Sequence, residues 1–353
     1  MDAEEERPLL SAATERAFYA ARSASLPEET YAIFARWWQL ETWLRELVYV
    51  ELRSLYGSAW QKAVAASAGR QRQDAQFQHM SSADSDNPLA YLDYSQLLKV
   101  IAEHDDQLRY ALLEPRSWAG RQDELMRIRH RIGHMRKPHS DDLGRLEQTL
   151  RDLERGAFIA CASYNRRSGP DPDKHSDPVT QGWLRRQHPT ALRLIDHAEA
   201  RYDTSFELTV SRRPWATYPD DLDGAEGIFW HASFYIRRNS LEIKKLWRQL
   251  QGGGAPLVHL VSDDPGSVHF TFSAVDGGTP IAEAIGRAFD AVLMSCRVGR
   301  QVESDEDFER WQRQAREIDY RVVSGSHWSI VDETTVPISM FGAGGGIDFP
   351  PQW

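Results

Sequence analysis

Apolar residues recur at three- and four-residue spacing over 31–56, where Phe34, Trp37, Leu40, Leu44, Leu47 and Leu55 form one stripe. Trp38, Val48 and Leu52 widen it. The spacing predicts an amphipathic helix, and so broad a stripe predicts one central to a bundle. Gly57 ends the pattern. Glu41 and Arg45, four apart, fall on one face of this helix. A further helix is expected over 91–108, with Tyr91, Tyr94, Leu97, Leu98, Ile101 and Leu108 on one side. Pro115 and Gly120 then break the pattern. The cleanest stripe is Leu143, Leu146, Leu150, Leu153, Ala157, Ala160 and Tyr164, with Ser140 as the expected N-cap and two aspartates in the first turn. These stretches predict an all-α bundle over 20–165, preceded by a loosely held start over 1–19.

Residues 166–180 carry three prolines and few apolar side chains, which is the composition of a linker. Beyond it the pattern changes. Helical spacing is expected over 183–200, 241–250, 281–294 and 308–318, and strand-like runs over 206–210, 227–236, 257–261, 268–272 and 320–323. The expected architecture is therefore α+β and multidomain. An N-terminal helical bundle precedes an α/β or α+β domain over 181–353, whose strand order the pattern leaves open.

At 353 residues, with 41% hydrophobic and 27% charged residues, the composition is that of an ordinary globular protein of about two domains. The formal charge of -10 argues against a chain that coats nucleic acid with its whole surface. Locally the sign reverses: 121–137 holds six Lys/Arg against two acids. The two cysteines, Cys161 and Cys296, make neither a disulfide framework nor a paired-cysteine metal site. No apolar run is long enough for a membrane span, and the acidic start lacks the apolar stretch of a secretory signal, so a cytoplasmic location is expected.

The basic run contains Arg129-His-Arg-Ile-Gly-His134, an R-x4-H arrangement followed by Arg136, Lys137 and Pro138. Together with Leu55-Tyr56-Gly57-Ser58-Ala59-Trp60 at the end of the first long helix, it resembles the HEPN domain. That all-helical bundle is found in many prokaryotic ribonucleases of toxin–antitoxin and anti-phage systems, and the likeness is nearest to the abortive-infection type. The resemblance spans about residues 20–165. The family usually places a small polar residue, often Asn, after the arginine, where this chain has His130. The resemblance implies a metal-independent endoribonuclease acting by 2'-OH transesterification, with no cofactor. His134 would transfer the proton and Arg129 stabilise the phosphate, in a composite site shared by a homodimer. Glu41 and Arg45 would support that site, and His130, Arg131, Arg136 and Lys137 would contact RNA. The residue types suit the task. Imidazole moves protons near neutral pH, and a guanidinium meets charge developing on phosphorus.

Plainer readings stand beside this one. A basic helix end also complements the negative C-terminal dipole. On a regular helix, residues five apart point about 140° away from each other, so Arg129 and His134 converge only if the helix loosens, with Gly133 the expected place. His130 and His134, four apart, share a face. A zinc cluster of His130, His134 and His139 lacks cysteine and standard spacing. Trp37, Trp38 and Trp43 are expected in the core, Glu41 with Arg45 suits a simple intrahelical pair, and His259 and His269 carry no ligand signature. Exposed pairs such as Arg212-Arg213 and Arg237-Arg238 are usually solvated. Gly252-Gly-Gly254 lacks the Lys-Ser/Thr of a phosphate loop. Two functions follow. One is a toxin or anti-phage ribonuclease whose C-terminal half senses a trigger, with an antitoxin or a phage-derived trigger as partner. The other is a non-catalytic dimeric adaptor that binds a nucleotide or RNA.

Overall fold

The computed structural model describes residues 12–23, 28–76, 86–237, 239–250, 256–262, 264–298 and 305–323. Helices α1 (Ala12–Ser23), α2 (Glu28–Tyr56), α3 (Ala68–Asp74), α4 (Tyr94–Glu103), α5 (Asp105–Leu108), α6 (Pro115–Gly133) and α7 (Asp142–Asn165) make the N-terminal half. Among the described residues, the C-terminal half interleaves α8 (Ala191–Tyr202), α9 (Ile243–Leu250), α10 (Gly278–Ser295) and α11 (Asp305–Arg316) with seven strands. These are β1 (Thr204–Arg212), β2 (Ile228–Ile236), β3 (Asn239–Leu241), β4 (Leu257–Val261), β5 (Ser267–Ser273), β6 (Cys296–Val298) and β7 (Val322–Val323). The fold is mixed α+β, and no described helix is long and apolar enough to cross a membrane.

The main sheet has the order β1-β2-β5-β4-β7, antiparallel except for the β4–β7 pair, and β3 pairs with β6 apart from it. One face is apolar: Leu208, Val210, Trp230, Ala232, Phe234, Val268, Phe270 and Phe272 pack with α8 and α10. Alternation sends Thr209, Ser211, His231, Ser233, His269 and Thr271 to the other face. The C-terminal turns of α2 and α7 lie against that polar face. Phe229, Val258, Val261 and Val323 share a core cluster with Leu47, Leu52 and Leu153 of the helices. The sheet is thus the middle of three layers.

Most polar groups along this seam are paired, as buried ones usually are, while Thr209 Oγ1, Ser273 Oγ and Arg53 Nε have no hydrogen-bond partner among the described residues. Arg213 and Glu51, both fully buried, form an ion pair, with Arg213 Nε donating to Glu51 Oε1 at 2.8 Å. The Tyr110 hydroxyl and Trp215 Nε1 each donate to the Glu51 carboxylate at 2.6 Å, and Arg213 also donates to the Ala160 carbonyl. Burial works against the Arg213 charge. Glu51 and Tyr110 outweigh it and hold the pKa above its ordinary value. Arg213 is therefore a buried anchor, not the solvated arginine its neighbourhood in the chain suggests. Arg238 and 252–254 lie outside the described residues. A hydrogen-bond chain runs Ser211–His231–Thr271–Tyr164–His259 at 2.7–3.1 Å per step. Tyr49 donates to the Val258 carbonyl, and Arg53 to that of Pro256.

Two glycines set close approaches. Gly57 stops α2 with φ +53, and the next amide, of Ser58, donates to Asp276 at 2.6 Å. At Gly156 a Cβ would run into the Ala111 carbonyl, so α7 lies directly on the turn before α6.

Several expectations are corrected. Residues 12–19, expected to be loosely held, lie in α1. The 91–108 stretch is two helices, because His104 leaves helical geometry, and Tyr91 belongs to a separate 3-10 turn. Pro115 opens α6, and Gly120 sits inside it. Ser140 does not cap α7. Asp141 holds the N-cap without a side-chain bond, and Asp142 instead accepts from the His139 amide. Over 183–200, Arg186 at φ +57 and Pro189 separate a π turn (Thr180–Leu184) from α8. Residues 166–180 are packed, not free: Ser168 bridges Val210 on the β1 edge, and Asp177 accepts from the amides of Val179 and Thr180.

Candidate functional site

Helix α6 begins with Pro115 at its first position, while Glu114 accepts from the Ser117 amide. Gln122, Leu125 and Ile128 are its buried side. Arg121 pairs with Asp152 of α7 at 2.8 Å, and Arg145 of α7 with Glu124. These contacts turn the basic side of the last two turns outward. Gly133 is the last residue of the helix, and His134 after it leaves helical geometry with φ -106 and ψ 17. The helix end is a Schellman motif: Met135 takes φ +52, the Arg136 amide donates to the Arg131 carbonyl at 2.8 Å, and the Met135 amide to that of Ile132 at 3.1 Å. Pro138 keeps the chain from resuming.

His130 and His134 are exposed and stacked, with ring centroids 5.9 Å apart and planes within 5°. Arg129 lies half-buried beside them. Arg129 and His130 from the last turns of α6 and His134 from its C-cap line one recess of about 360 Å³, together with Phe34, Trp37, Ile132 and Gly133. His134 can join Arg129 there because the C-cap geometry takes it off the regular helical spacing. Arg129 forms no ion pair with a described residue. Asp93 is close enough to feel it: hydrogen bonds from Arg70 and the Gln96 amide hold the Asp93 carboxyl below its usual range, and the Arg129 charge adds to them. Neither imidazole is hydrogen-bonded to a described residue.

The floor is Trp37, whose ring meets Tyr94 edge-on at 4.9 Å, while the Tyr94 hydroxyl donates to Gln122 of α6 at 2.7 Å. Glu41 and Arg45 do not line the recess. Glu41 accepts from Trp37 Nε1 and from Arg45, each at 2.6 Å, and Arg45 also donates to the Leu92 carbonyl. Their contact with the recess is through the indole they fix. Arg131 points elsewhere: it is bound to Asp142, with Nε at 2.7 Å from Oδ2. Burial works against the Asp142 charge, and Arg131 with the His139 amide outweighs it, so the carboxyl titrates below its usual range. Arg136 and Lys137 are exposed, and neither lines the recess.

Comparison of the chain with protein-family models, with curated proteins and with solved structures finds no match.

Two features of the surroundings escape the helical pattern. Trp38, expected in the core, is 62% exposed, and Phe34 is 55% exposed, the two rings 6.3 Å apart beside the recess. Both sit in the apolar stripe of α2, so their only signal was that the stripe is wider than one neighbour can cover. The second feature is the set of buried histidines on the sheet. His231 and His259 are held well below the usual imidazole pKa, first by burial, and His269 is pushed down to about 4 by burial and by Arg167. His231, His259 and His269 all lie away from the α6 recess, on the polar sheet face. Strict alternation in β2 and β5 was the signal for that face. Among the described residues no group of three metal-ligating side chains is placed to hold an ion.

Proposed function

We propose that the α6 recess cleaves RNA, and that Arg129 and His134 carry the reaction. The supporting observation is their convergence, with His130, on one accessible recess. The chemistry needs no redox step. His134 takes the proton from a ribose 2'-OH as that oxygen attacks the adjacent phosphorus. Arg129 donates to the non-bridging oxygens as charge builds there. The 5'-oxygen leaves and takes up a proton, giving a 2',3'-cyclic phosphate and a 5'-hydroxyl end. DNA lacks the internal nucleophile and is not cut. Arg136 and Lys137 would contact a neighbouring phosphate, and Phe34 and Trp38 offer faces to a base or to a second protomer.

The free imidazoles bear on how the site works. A general base is normally oriented by another group, and here no described residue does so. A homodimer that brings its own side chains over Phe34 and Trp38 would complete the site. The C-terminal half would then act as sensor through α2, the helix both regions share. The same free imidazoles favour a second reading, a non-catalytic dimeric adaptor whose Arg129, His130 and His134 bind the phosphate of RNA or a nucleotide. No metal or cofactor is assigned in either reading.

The test is RNA cleavage by the purified protein with chelator present, comparing wild type with His134→Ala and Arg129→Ala. Loss of at least 100-fold in both supports the assignment, since acid–base and charge-stabilising groups each typically contribute about 10²–10³. Cleavage that survives both substitutions overturns it. RNA binding without cleavage, weakened by Arg129→Ala, establishes the adaptor.

A further inference from the structure

Cleavage by 2'-OH attack moves two protons, and His134 carries only one of them. The attacking 2'-oxygen loses its proton to that imidazole, while the departing 5'-oxygen must gain one. In-line displacement puts these two oxygens on opposite sides of phosphorus. One imidazole cannot reach both in the same step. The second proton needs a second group that opens on the same space.

Few groups are placed to supply it. Among the described residues that line the α6 recess, the titratable side chains are Arg129, His130 and His134. A guanidinium does not give up its proton in a protein. The nearby carboxylates are engaged: Glu41 accepts from Trp37 and Arg45, and Asp93 from Arg70 and the Gln96 amide. Lys137 and His139 do not line the recess, and His139 Nδ1 accepts from the Asp141 amide. That leaves His130. Its position follows from spacing, since residues four apart on a helix are neighbours on its surface. The two imidazoles lie 5.9 Å apart between ring centroids, with planes within 5°. Both are exposed and neither is hydrogen-bonded to a described residue, so each ring can meet substrate.

We propose that His130 is a second catalytic residue, the general acid that protonates the leaving 5'-oxygen. The inference rests on the RNA-cleavage reading of this recess. The reaction starts with His130 as imidazolium and His134 as neutral imidazole. As the bond from the 2'-oxygen to phosphorus forms, the hydroxyl proton passes to His134. As the bond from phosphorus to the 5'-oxygen breaks, its electron pair stays on oxygen and His130 supplies the proton. His130 ends neutral and His134 charged, and exchange with water restores both. Arg129 keeps its charge throughout.

The test uses the full chain, with chelator present, on two RNAs that differ in one atom. At the link that wild type cuts fastest in an ordinary RNA, the second RNA carries sulfur in place of the 5'-oxygen. A thiolate, whose parent thiol has a pKa of about 8.5, leaves without a proton. His130→Ala should cut the ordinary link about 100-fold or more slowly, since a general acid contributes about 10²–10⁴. It should cut the sulfur link at close to the wild-type rate. His130→Gln, which keeps a hydrogen-bonding side chain but has no proton to give, should behave like His130→Ala. His134→Ala should stay slow on both links. Position 130 is exposed, so folding is not at stake. Three results overturn the proposal: an unchanged rate on the ordinary link in His130→Ala, an equal loss on both links, and rescue by sulfur of His134→Ala in place of His130→Ala. Wild type that cuts neither RNA overturns the cleavage reading itself, and this proposal with it.

Discussion

Two of the acid–arginine contacts on helix α2 differ sharply in their surroundings. Near the recess, Glu41 and Arg45 pair on the helix itself, with side chains 14% and 25% exposed. Three turns on, Glu51 reaches Arg213 from the sheet half, at 1% and 0%. The first pair is local, and such pairs contribute about 0.3–0.5 kcal/mol. The second has lost its water and satisfies each charge with Tyr110, Trp215 and a backbone carbonyl. Chemistry needs groups that are not yet spoken for. At the recess end Arg129, His130 and His134 form no ion pair or side-chain hydrogen bond with a described residue; at the seam end the described side chains on Glu51 and Arg213 are fully engaged. Arginine is thus structural in the seam, at Arg213, and without a described ion partner at the recess, at Arg129 of α6, where solvent still reaches it.

The comparison breaks first if Glu51 proves dispensable. Glu51→Ala leaves the Arg213 guanidinium buried and alone, which should cost about 3–5 kcal/mol. A shift in the denaturant midpoint measures it. Replacing both partners by methionine should recover most of that loss, because no uncompensated charge then remains. A loss under about 1 kcal/mol for Glu51→Ala would mean that water reaches the seam. Next in size is Gly156→Ala. Its Cβ meets backbone, not a mobile side-chain end, so α7 or the Ala111 turn must shift, at about 1–3 kcal/mol. On an exposed helix position the same change would stabilise by up to about 1 kcal/mol, so even the sign is informative.

These two sites also show how far the chain could be read without coordinates. Helices α2 and α7 and strands β1, β2, β4 and β5 were legible because long stretches keep one period. A mixed α+β chain with a helical first half followed from that. Local stops were less legible. The end of α6 is set by backbone bonds to Met135 and Arg136, which carry no side-chain signature, and Gly120 is an exposed helical glycine that composition mistakes for a break. The sheet's polar face was written in the alternation of His231, Ser233, His269 and Thr271. What alternation omits is that α2 and α7 cover that face instead of solvent. At the candidate site, the stacking of His130 on His134 followed from their spacing. The shared recess of Arg129 and His134 did not, because it depends on Trp37 of another helix. Trp38 was misread for a related reason: periodicity says which residues share a face, not whether a neighbour exists to bury them.

Buried groups near the seam titrate in opposite directions. Burial pushes the Glu46 carboxyl up to about 8, from a usual value near 4.5, although part of the residue reaches solvent. The folded state then holds this proton more tightly than the unfolded chain. The stability Glu46 contributes is present below about pH 4.5 and is lost as pH rises toward 8. The seam histidines work the other way. His269, lowered to about 4 from 6.5, and His231 and His259, also lowered, add stability above pH 6.5 that is lost as pH falls toward 4. Stability should therefore peak near pH 6.5 and decline to pH 8. Unfolding midpoints at pH 5, 6.5 and 8 test this, with Glu46→Gln expected to flatten the alkaline side alone. A decline that survives the substitution removes Glu46 as its cause.

The smallest stability effect belongs to the exposed aromatics. Phe34→Ser and Trp38→Ser remove apolar surface that water already touches, so each should change folding stability by no more than about 0.5 kcal/mol. The tilted contact between the two rings adds at most about 1 kcal/mol, and less when solvated. If the recess works alone, RNA cleavage or binding should fall by about 1–3 kcal/mol per lost stacking contact, with no change in assembly state. If a second protomer covers these rings, sedimentation should instead show the Trp38→Ser dimer dissociating, with activity lost in step with dimer concentration. Unchanged activity and unchanged assembly in both variants would make the two aromatics ordinary surface residues. The recess would then be Arg129, His130 and His134 over Trp37 alone.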